Sequence, residues 1–128
     1  MQRPRDRYGR PLAPDTPAEQ ITPAVPERTI ITSAEAWTEA INYLNQDLPF
    51  HAHEVFEQRW RCCPPAERDC WRALAQWGAA LTHLARGNPK GAREVARRAS
   101  ELFSNCTIVA PVDRDFVLTS LAGLMSNE

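Results

Sequence analysis

Residues 50–60 read FHAHEVFEQRW, and this stretch decides the fold class of the chain. It follows Pro49, a residue that suits the first turn of a helix. It ends before the run CCPP at residues 62–65, through which a helix cannot continue. No run in the chain alternates between apolar and polar residues with the period of two that a strand requires. The stretch therefore predicts a helix.

Helices are also predicted on both sides of this stretch. Thr32 and Glu35 have the spacing of a capping box, so a helix begins there and ends near Asp47. A third helix starts near Pro65 and reaches Arg86. Apolar positions at helical spacing support these two helices: Ala36, Trp37, Ala40, Ile41, Leu44 and Leu48 in the first, and Trp71, Leu74, Gly78, Leu81 and Ala85 in the third.

The junction at residues 87–89 is the clearest local signal in the chain. Gly87 suits the left-handed end of one helix, Asn88 caps the next, and Pro89 suits its first turn. Asp113 caps a short last helix. The side chains expected to be buried by these two helices are Ala92, Val95, Ala96, Ala99, Leu102 and Phe103, then Phe116, Val117, Leu121 and Leu124. Residues 32–128 are thus predicted to form an all-α fold, a compact antiparallel bundle of four to five helices.

Residues 1–31 are a proline-rich N-terminal extension of different character. The first 29 residues hold six of the eleven prolines and five of the fifteen basic residues, which four acidic residues balance. Such a segment cannot be regular helix and cannot form a core of its own. We expect it to be flexible, or to lie along the helical body or a neighbouring subunit.

Composition excludes several classes of function. The net charge of −1 predicts neither nucleic-acid binding nor attraction to anionic membranes, and no run approaches the ~20 apolar residues of a membrane span. The N-terminus has no signal-peptide pattern, and the cysteines match no zinc-finger spacing, so we expect reduced thiols and a cytoplasmic protein. The sequence contains neither a nucleophile elbow nor a phosphate-binding glycine loop.

The helix at residues 50–60 carries the most suggestive side chains. His53 and Glu57 lie one turn apart on the face that Phe50 and Trp60 also share. Gln76 and His83 are seven residues apart on one face of the third helix and would face this pair if the two helices pack antiparallel. The predicted cluster therefore consists of His53, Glu57, Gln76 and His83. Two imidazoles and a carboxylate form a ligand set for zinc or another divalent transition metal. The same groups could instead form a closed hydrogen-bond network, which we favour because such networks are commoner than metal sites.

Several motifs together resemble domain-of-unknown-function family 309. They are AHEVFE at residues 52–57 with Trp60, ALAQ at residues 73–76, and His83 followed by GNPKGA at residues 87–92. The resemblance covers roughly residues 36–103 and implies a small helical protein of a family in which some members are labelled metal-dependent hydrolases. The family pattern carries over to His53, Glu54, Glu57, Trp60, Gln76, His83, Gly87 and Asn88. The chain departs from it at His51, where an acidic residue is more usual, and at Ala73, where glycine is, so His51 is not expected to be a ligand.

Three functional hypotheses follow. The leading one is a binding or scaffold module in which the His/Glu/Gln cluster organises the core, with a homodimer as one option for its assembly. The second is a metal-dependent hydrolase, in which His53, Glu57 and His83 hold the ion and a nearby polar side chain, Glu54 or Gln76, orients water. Under the first hypothesis, Trp60, Gly87 and Asn88 serve structure alone.

The third hypothesis is an adaptor that contacts an anion or a nucleic acid. Its residues would be the basic row Lys90, Arg93 and Arg97 on the fourth helix. We favour a solvated face instead, with these residues paired to Glu94 and Glu101, because the net charge is close to zero.

Overall fold

The computed structural model describes residues 3–107 and 110–126, and most of these residues are helical. The helices are α1 (Ser33–Asn45), α2 (Pro49–Cys62), α3 (Arg68–Ala85), α4 (Pro89–Asn105) and α5 (Arg114–Ser126), with short 3-10 helices at Ala18–Gln20 and Pro65–Glu67. Within these ranges there is no strand, only an isolated bridge between Arg5 and Pro11. No helix among them has the length and apolar character needed to cross a membrane. The predicted all-α bundle is confirmed.

Helices that follow each other in the chain pack against each other, and α3 lies between α2 and α4. The core is richest in aromatic side chains where α2 meets α3. The Phe56 ring lies 6.3 Å from Trp71 and 6.0 Å from Trp77, and all three side chains are fully buried. Burial of such large side chains dominates the energetics of a small core. Much of the buried aromatic surface therefore lies at the α2–α3 interface.

Local capping chemistry sets the helix ends as predicted. The Glu35 amide donates to the Thr32 hydroxyl at 3.1 Å, and the Thr32 amide donates to the Glu35 carboxylate at 3.0 Å, which completes the capping box. Gly87 adopts a φ of 78°, the left-handed conformation that closes α3. The Asn88 side chain then accepts the Gly91 amide at 3.0 Å and caps α4. These boundaries depend on neighbouring residues alone.

Two details of the predicted helices are wrong. The third helix does not run unbroken from Pro65, because Pro65–Glu67 forms a separate 3-10 turn before α3 begins at Arg68. Phe116 does not point inward: it is 51% exposed and meets Trp77 edge-on. The buried positions of α5 are Val117, Leu121 and Leu124, which share one stripe of the helix, and Phe116 precedes that stripe by one position.

The N-terminal extension lies along the helical body. Val25 and Ile31 are buried in the core. Gly9, with a φ of 77°, lies directly against the ring of Phe50, where a β-carbon would have no room. Arg86 donates to the Tyr8 carbonyl at 2.8 Å and ties the same loop to the end of α3. The extension is thus held by contacts to α2 and α3 and has an ordered path despite its proline content.

Candidate functional site

His53 and Glu57 form a hydrogen-bonded pair on α2. The Nε2 atom of His53 lies 2.9 Å from a carboxylate oxygen of Glu57, and its Nδ1 atom lies 2.7 Å from the carbonyl oxygen of Ala75 on α3. Both partners accept hydrogen bonds, so the ring makes both bonds only when each nitrogen carries a hydrogen. The second carboxylate oxygen of Glu57 accepts from Arg61 at 2.9 Å. The pair is therefore an imidazolium held between a carboxylate and a helix carbonyl.

The electrostatics of the pair agree with this geometry. Burial alone would lower the pKa of His53, but the hydrogen bonds to Glu57 and to the Ala75 carbonyl outweigh burial and raise the pKa above its usual value. The hydrogen bond from His53 lowers the pKa of Glu57, against the opposing effect of burial and with a further contribution from Arg61. Each partner thus stabilises the charged form of the other.

Close approach of the two helices makes the bond to Ala75 reachable. Gly78 lies on α3 directly opposite the backbone of His53, and a β-carbon at this position would come within 2.8 Å of the His53 α-carbon. A glycine is needed here because the backbones touch. One turn earlier on α3, the Ala75 carbonyl meets the His53 ring. Gly78 is therefore a packing requirement of the site, a role that its apolar neighbours in the sequence do not reveal.

The predicted partners on α3 are placed differently. His83 contacts the side chain of Asn88 at 3.1 Å and shares a small cavity of 160 Å³ with His53. The side-chain oxygen of Gln76 is buried and has no hydrogen-bond partner among the described residues. Neither Gln76 nor His83 is hydrogen-bonded to His53 or Glu57 in that part of the chain. Glu57 is instead neutralised from within α2, by His53 and Arg61.

The geometry bears on the predicted metal ligands. Within residues 3–107 and 110–126, no three His, Cys, Asp or Glu side chains are grouped closely enough to hold an ion. Both nitrogens of His53 are already bonded, so this side chain would have to release Glu57 or Ala75 before it could bind zinc. The ligand set of His53, Glu57 and His83 stays a prediction, and it requires a rearrangement of the pair.

The other polar face of α2 lines a much larger cavity. His51, Glu54 and Gln58 are three and four residues apart and border a groove of 1270 Å³ between α2 and the N-terminal extension. The remaining lining residues include the apolar side chains Ile21, Val25 and Phe50 and the arginines Arg3, Arg5, Arg28 and Arg61. The 51/54/58 spacing was present in the sequence, but the segment that covers this face carries no periodic signal.

Two side chains of this face fasten the extension. The buried ring of His51 donates from Nε2 to the Pro23 carbonyl at 2.7 Å, and its Nδ1 has no partner in the described part of the chain. The Gln58 amide donates to the Pro26 carbonyl and accepts from Arg28, both at 2.9 Å. His51, set aside as a ligand on the family pattern, thus has a clear structural role.

The four groove arginines fall into two pairs. Arg28 makes a two-point ion pair with Glu39, with a shortest distance of 2.7 Å, and Arg61 is paired with Glu57. Arg3 and Arg5 donate to backbone carbonyls of their own loop and have no carboxylate partner in the described ranges. Arg5 also lies over the ring of Phe50, at 5.3 Å from its centre. The extension therefore brings two arginines without a direct carboxylate contact to the groove, which Glu27 and Glu54 also line.

The basic row on α4, formed by Lys90, Arg93 and Arg97, does not line the groove. Lys90 and Arg97 are exposed, and Arg93 is partly buried. Within the described ranges no ion pair joins Glu94 or Glu101 to Lys90 or Arg97, and the exposure of these two basic side chains agrees with the solvated face favoured from the sequence. Long exposed side chains lose entropy when they pair, and exposed pairs give little in return.

Trp60, on α2, stacks beneath Arg68 at 4.7 Å, which suits its predicted structural role.

Fold and site together define a small helical bundle with a histidine–glutamate pair between two helices and a groove beneath its N-terminal extension. Residues 37–95 match the family model described as domain of unknown function DUF309, which supports the family assignment made from the sequence. The comparisons with curated proteins and with solved structures gave no match. The individual motif residues, a bound metal, a homodimer and a cytoplasmic location stay predictions.

Proposed function

We propose that this protein is a non-catalytic binding module whose groove holds a small ligand with an acidic group and an apolar body. The observation that carries the proposal is the groove of 1270 Å³ lined by both arginine and apolar side chains. Small-molecule sites are typically concave and largely apolar, with a few placed polar groups that orient the ligand. The groove has both features.

The end of the groove formed by Arg3 and Arg5 favours an acidic group. Arg28 and Arg61 are neutralised by Glu39 and Glu57, whereas Arg3 and Arg5 have no carboxylate partner in the described chain. A guanidinium group binds a carboxylate or phosphate in a planar, two-point arrangement. The acidic end of a ligand would therefore lie toward the extension.

The apolar side chains account for the body of the ligand. Ile21, Val25 and Phe50 border the groove, and Phe50 is fixed in place by Gly9 and by Arg5. Each methylene group buried against such a surface contributes about 0.8 kcal/mol. A hydrocarbon chain or ring would thus supply much of the affinity.

The histidine–glutamate pair supports a structural role over a catalytic one. A general base needs a free lone pair, and both nitrogens of His53 are engaged as donors. His53 links α2 to α3, which holds the wall of the groove in position. This proposal is a more specific form of the binding or scaffold hypothesis that the sequence favours.

Titration with octanoate tests this function, with octanol as the uncharged control. We expect octanoate to bind in calorimetry and to shift the amide NMR signals of the groove residues, and octanol to bind more weakly. Arg5→Gln should weaken octanoate binding, whereas Arg72→Gln, an exposed arginine on α3 outside the groove, should not. Octanoate that fails to bind, or that shifts signals elsewhere, would overturn the proposal.

A further inference from the structure

Glu54 is a groove carboxylate without a direct hydrogen-bond or ion-pair partner in the described part of the chain. It is partly buried and lines the groove, yet it makes no hydrogen bond or ion pair with any described residue. Its neighbours on α2 are all engaged: Arg61 pairs with Glu57, and His53 does the same. A partly buried carboxylate without a direct partner favours a donor or a cation from outside the chain.

The side chains on the same stripe of α2, His51 and Gln58, are not available to donate a hydrogen bond to Glu54. His51 uses its Nε2 hydrogen on the Pro23 carbonyl, and Gln58 uses its amide on Pro26 and Arg28. These bonds also hold the extension, so rotating either side chain toward Glu54 would loosen the groove wall. Arg28, which also lines the groove, is committed to Glu39 through two nitrogens. Among the described residues, Glu54 therefore has no hydrogen-bond or ion-pair partner, and its charge interaction is the longer-range one with His53.

We infer that the groove binds a small zwitterion, with its ammonium group at Glu54, its acidic group at Arg3 and Arg5, and its apolar body between them. The inference rests on the proposed binding function and deepens it. Opposite charges on the two sides of the groove, Glu54 on α2 and the arginines on the extension, select a ligand that carries both charges. They disfavour a ligand that carries only an amine, because Arg3 and Arg5 would face it. The chemical class is an ω-amino acid or a compound of similar charge separation.

Three ligands with the same hydrocarbon body separate the charges: octanoate, ω-aminooctanoate and octylamine. We expect the unmodified protein to bind ω-aminooctanoate about tenfold more tightly than octanoate, a factor that corresponds to ~1.4 kcal/mol. Octylamine should bind most weakly. Calorimetry at low ionic strength measures all three, because salt screens such contacts.

Glu54→Gln removes the charge and keeps the shape of the side chain. It should abolish the preference for ω-aminooctanoate and leave octanoate binding equal or stronger, since a negative charge near the acidic ligand is lost. Glu94→Gln, an exposed carboxylate on α4, is the matched control and should change neither affinity. Circular dichroism of each variant confirms that it is folded.

The outcomes distinguish the inference from the function on which it rests. If neither octanoate nor ω-aminooctanoate binds the unmodified protein, the binding function itself fails. If octanoate binds and the added amine brings no gain, the function stands and the zwitterion is wrong. Tightest binding by octylamine would overturn both. The three affinities are compared in the unmodified protein, so they test the zwitterion inference even if Glu54→Gln is unstable.

Discussion

His53 and Glu57 are hydrogen-bonded at 2.9 Å across one turn of α2, and the same imidazole reaches across to the Ala75 carbonyl of α3. A single side chain thus joins an ion pair within one helix to a backbone contact between two helices. Such a charged group is stable in a partly buried position because both of its hydrogens are used. The pair therefore acts as a fastening between α2 and α3.

Removing the imidazole should lower stability. In His53→Ala, the Glu57 carboxylate loses one partner and the α2–α3 link is lost, so we expect the free energy of unfolding to fall by about 2 kcal/mol. Urea unfolding followed by circular dichroism measures the change. His83→Ala, which removes a side chain whose hydrogen-bond partner among the described residues is Asn88, is the control and should cost clearly less. Equal losses in the two variants would contradict a fastening role for His53.

The pair should also give the stability a defined pH dependence. Folding raises the pKa of His53, so its contribution is complete below the unfolded value of 6.5 and is lost as the pH rises through the higher folded value. Folding lowers the pKa of Glu57, so its contribution is complete above the unfolded value of 4.5 and is lost as the pH falls through the lower folded value. The stabilisation is therefore greatest between pH 4.5 and pH 6.5.

Comparison of the unmodified protein with His53→Gln isolates this dependence. The difference in their free energies of unfolding should be largest within that window and should shrink well above pH 6.5. Urea unfolding of both proteins across the pH range gives the difference directly. A gap that widens as the solution becomes alkaline would show that His53 is neutral in the folded state.

Gly78 should tolerate no side chain, since its backbone touches that of His53. In Gly78→Ala the new β-carbon would lie 2.8 Å from the His53 α-carbon, and a backbone cannot yield as a flexible side chain can. We expect a loss of about 1–3 kcal/mol, as for overpacked cores. Gly123→Ala on α5, with nothing within 4 Å of the new atom, should instead be neutral or stabilising by up to ~1 kcal/mol. Thermal unfolding of the two variants should therefore shift in different directions.

Much of the fold could be predicted because its boundaries are local. The capping box at Thr32 and the junction at residues 87–89 depend on neighbouring side chains, which the sequence displays directly. The partner of Glu57 was missed although Arg61 stands four residues away, a spacing that favours an ion pair on a helix. The groove could not be predicted, because the extension is held by hydrogen bonds to its carbonyl groups. Those bonds depend on the path of the chain and leave no pattern in the residues.

Zinc binding provides a test of the hydrolase hypothesis. Because both nitrogens of His53 are engaged as donors, we expect no saturable zinc binding at neutral pH that depends on this residue. Calorimetry of the protein without a histidine tag, before and after His53→Ala, measures it. Stoichiometric binding that disappears in His53→Ala and again in His83→Ala would instead support the predicted metal site.

The loop of the extension that contains Gly9 should be the most sensitive to a single methyl group. Gly9→Ala places a β-carbon against the Phe50 ring and also forces alanine into a left-handed conformation. The loop can relieve the clash with Phe50 and the backbone strain by detaching from α2. We therefore expect amide hydrogen exchange of residues 3–12 to rise sharply. Gly87→Ala is the matched control, because it has a similar φ of 78° but open space around the new atom. It should cost about 1–2 kcal/mol in backbone strain and leave exchange in the extension unchanged. Equal exchange of residues 3–12 in the two variants would mean that Phe50 does not hold the loop.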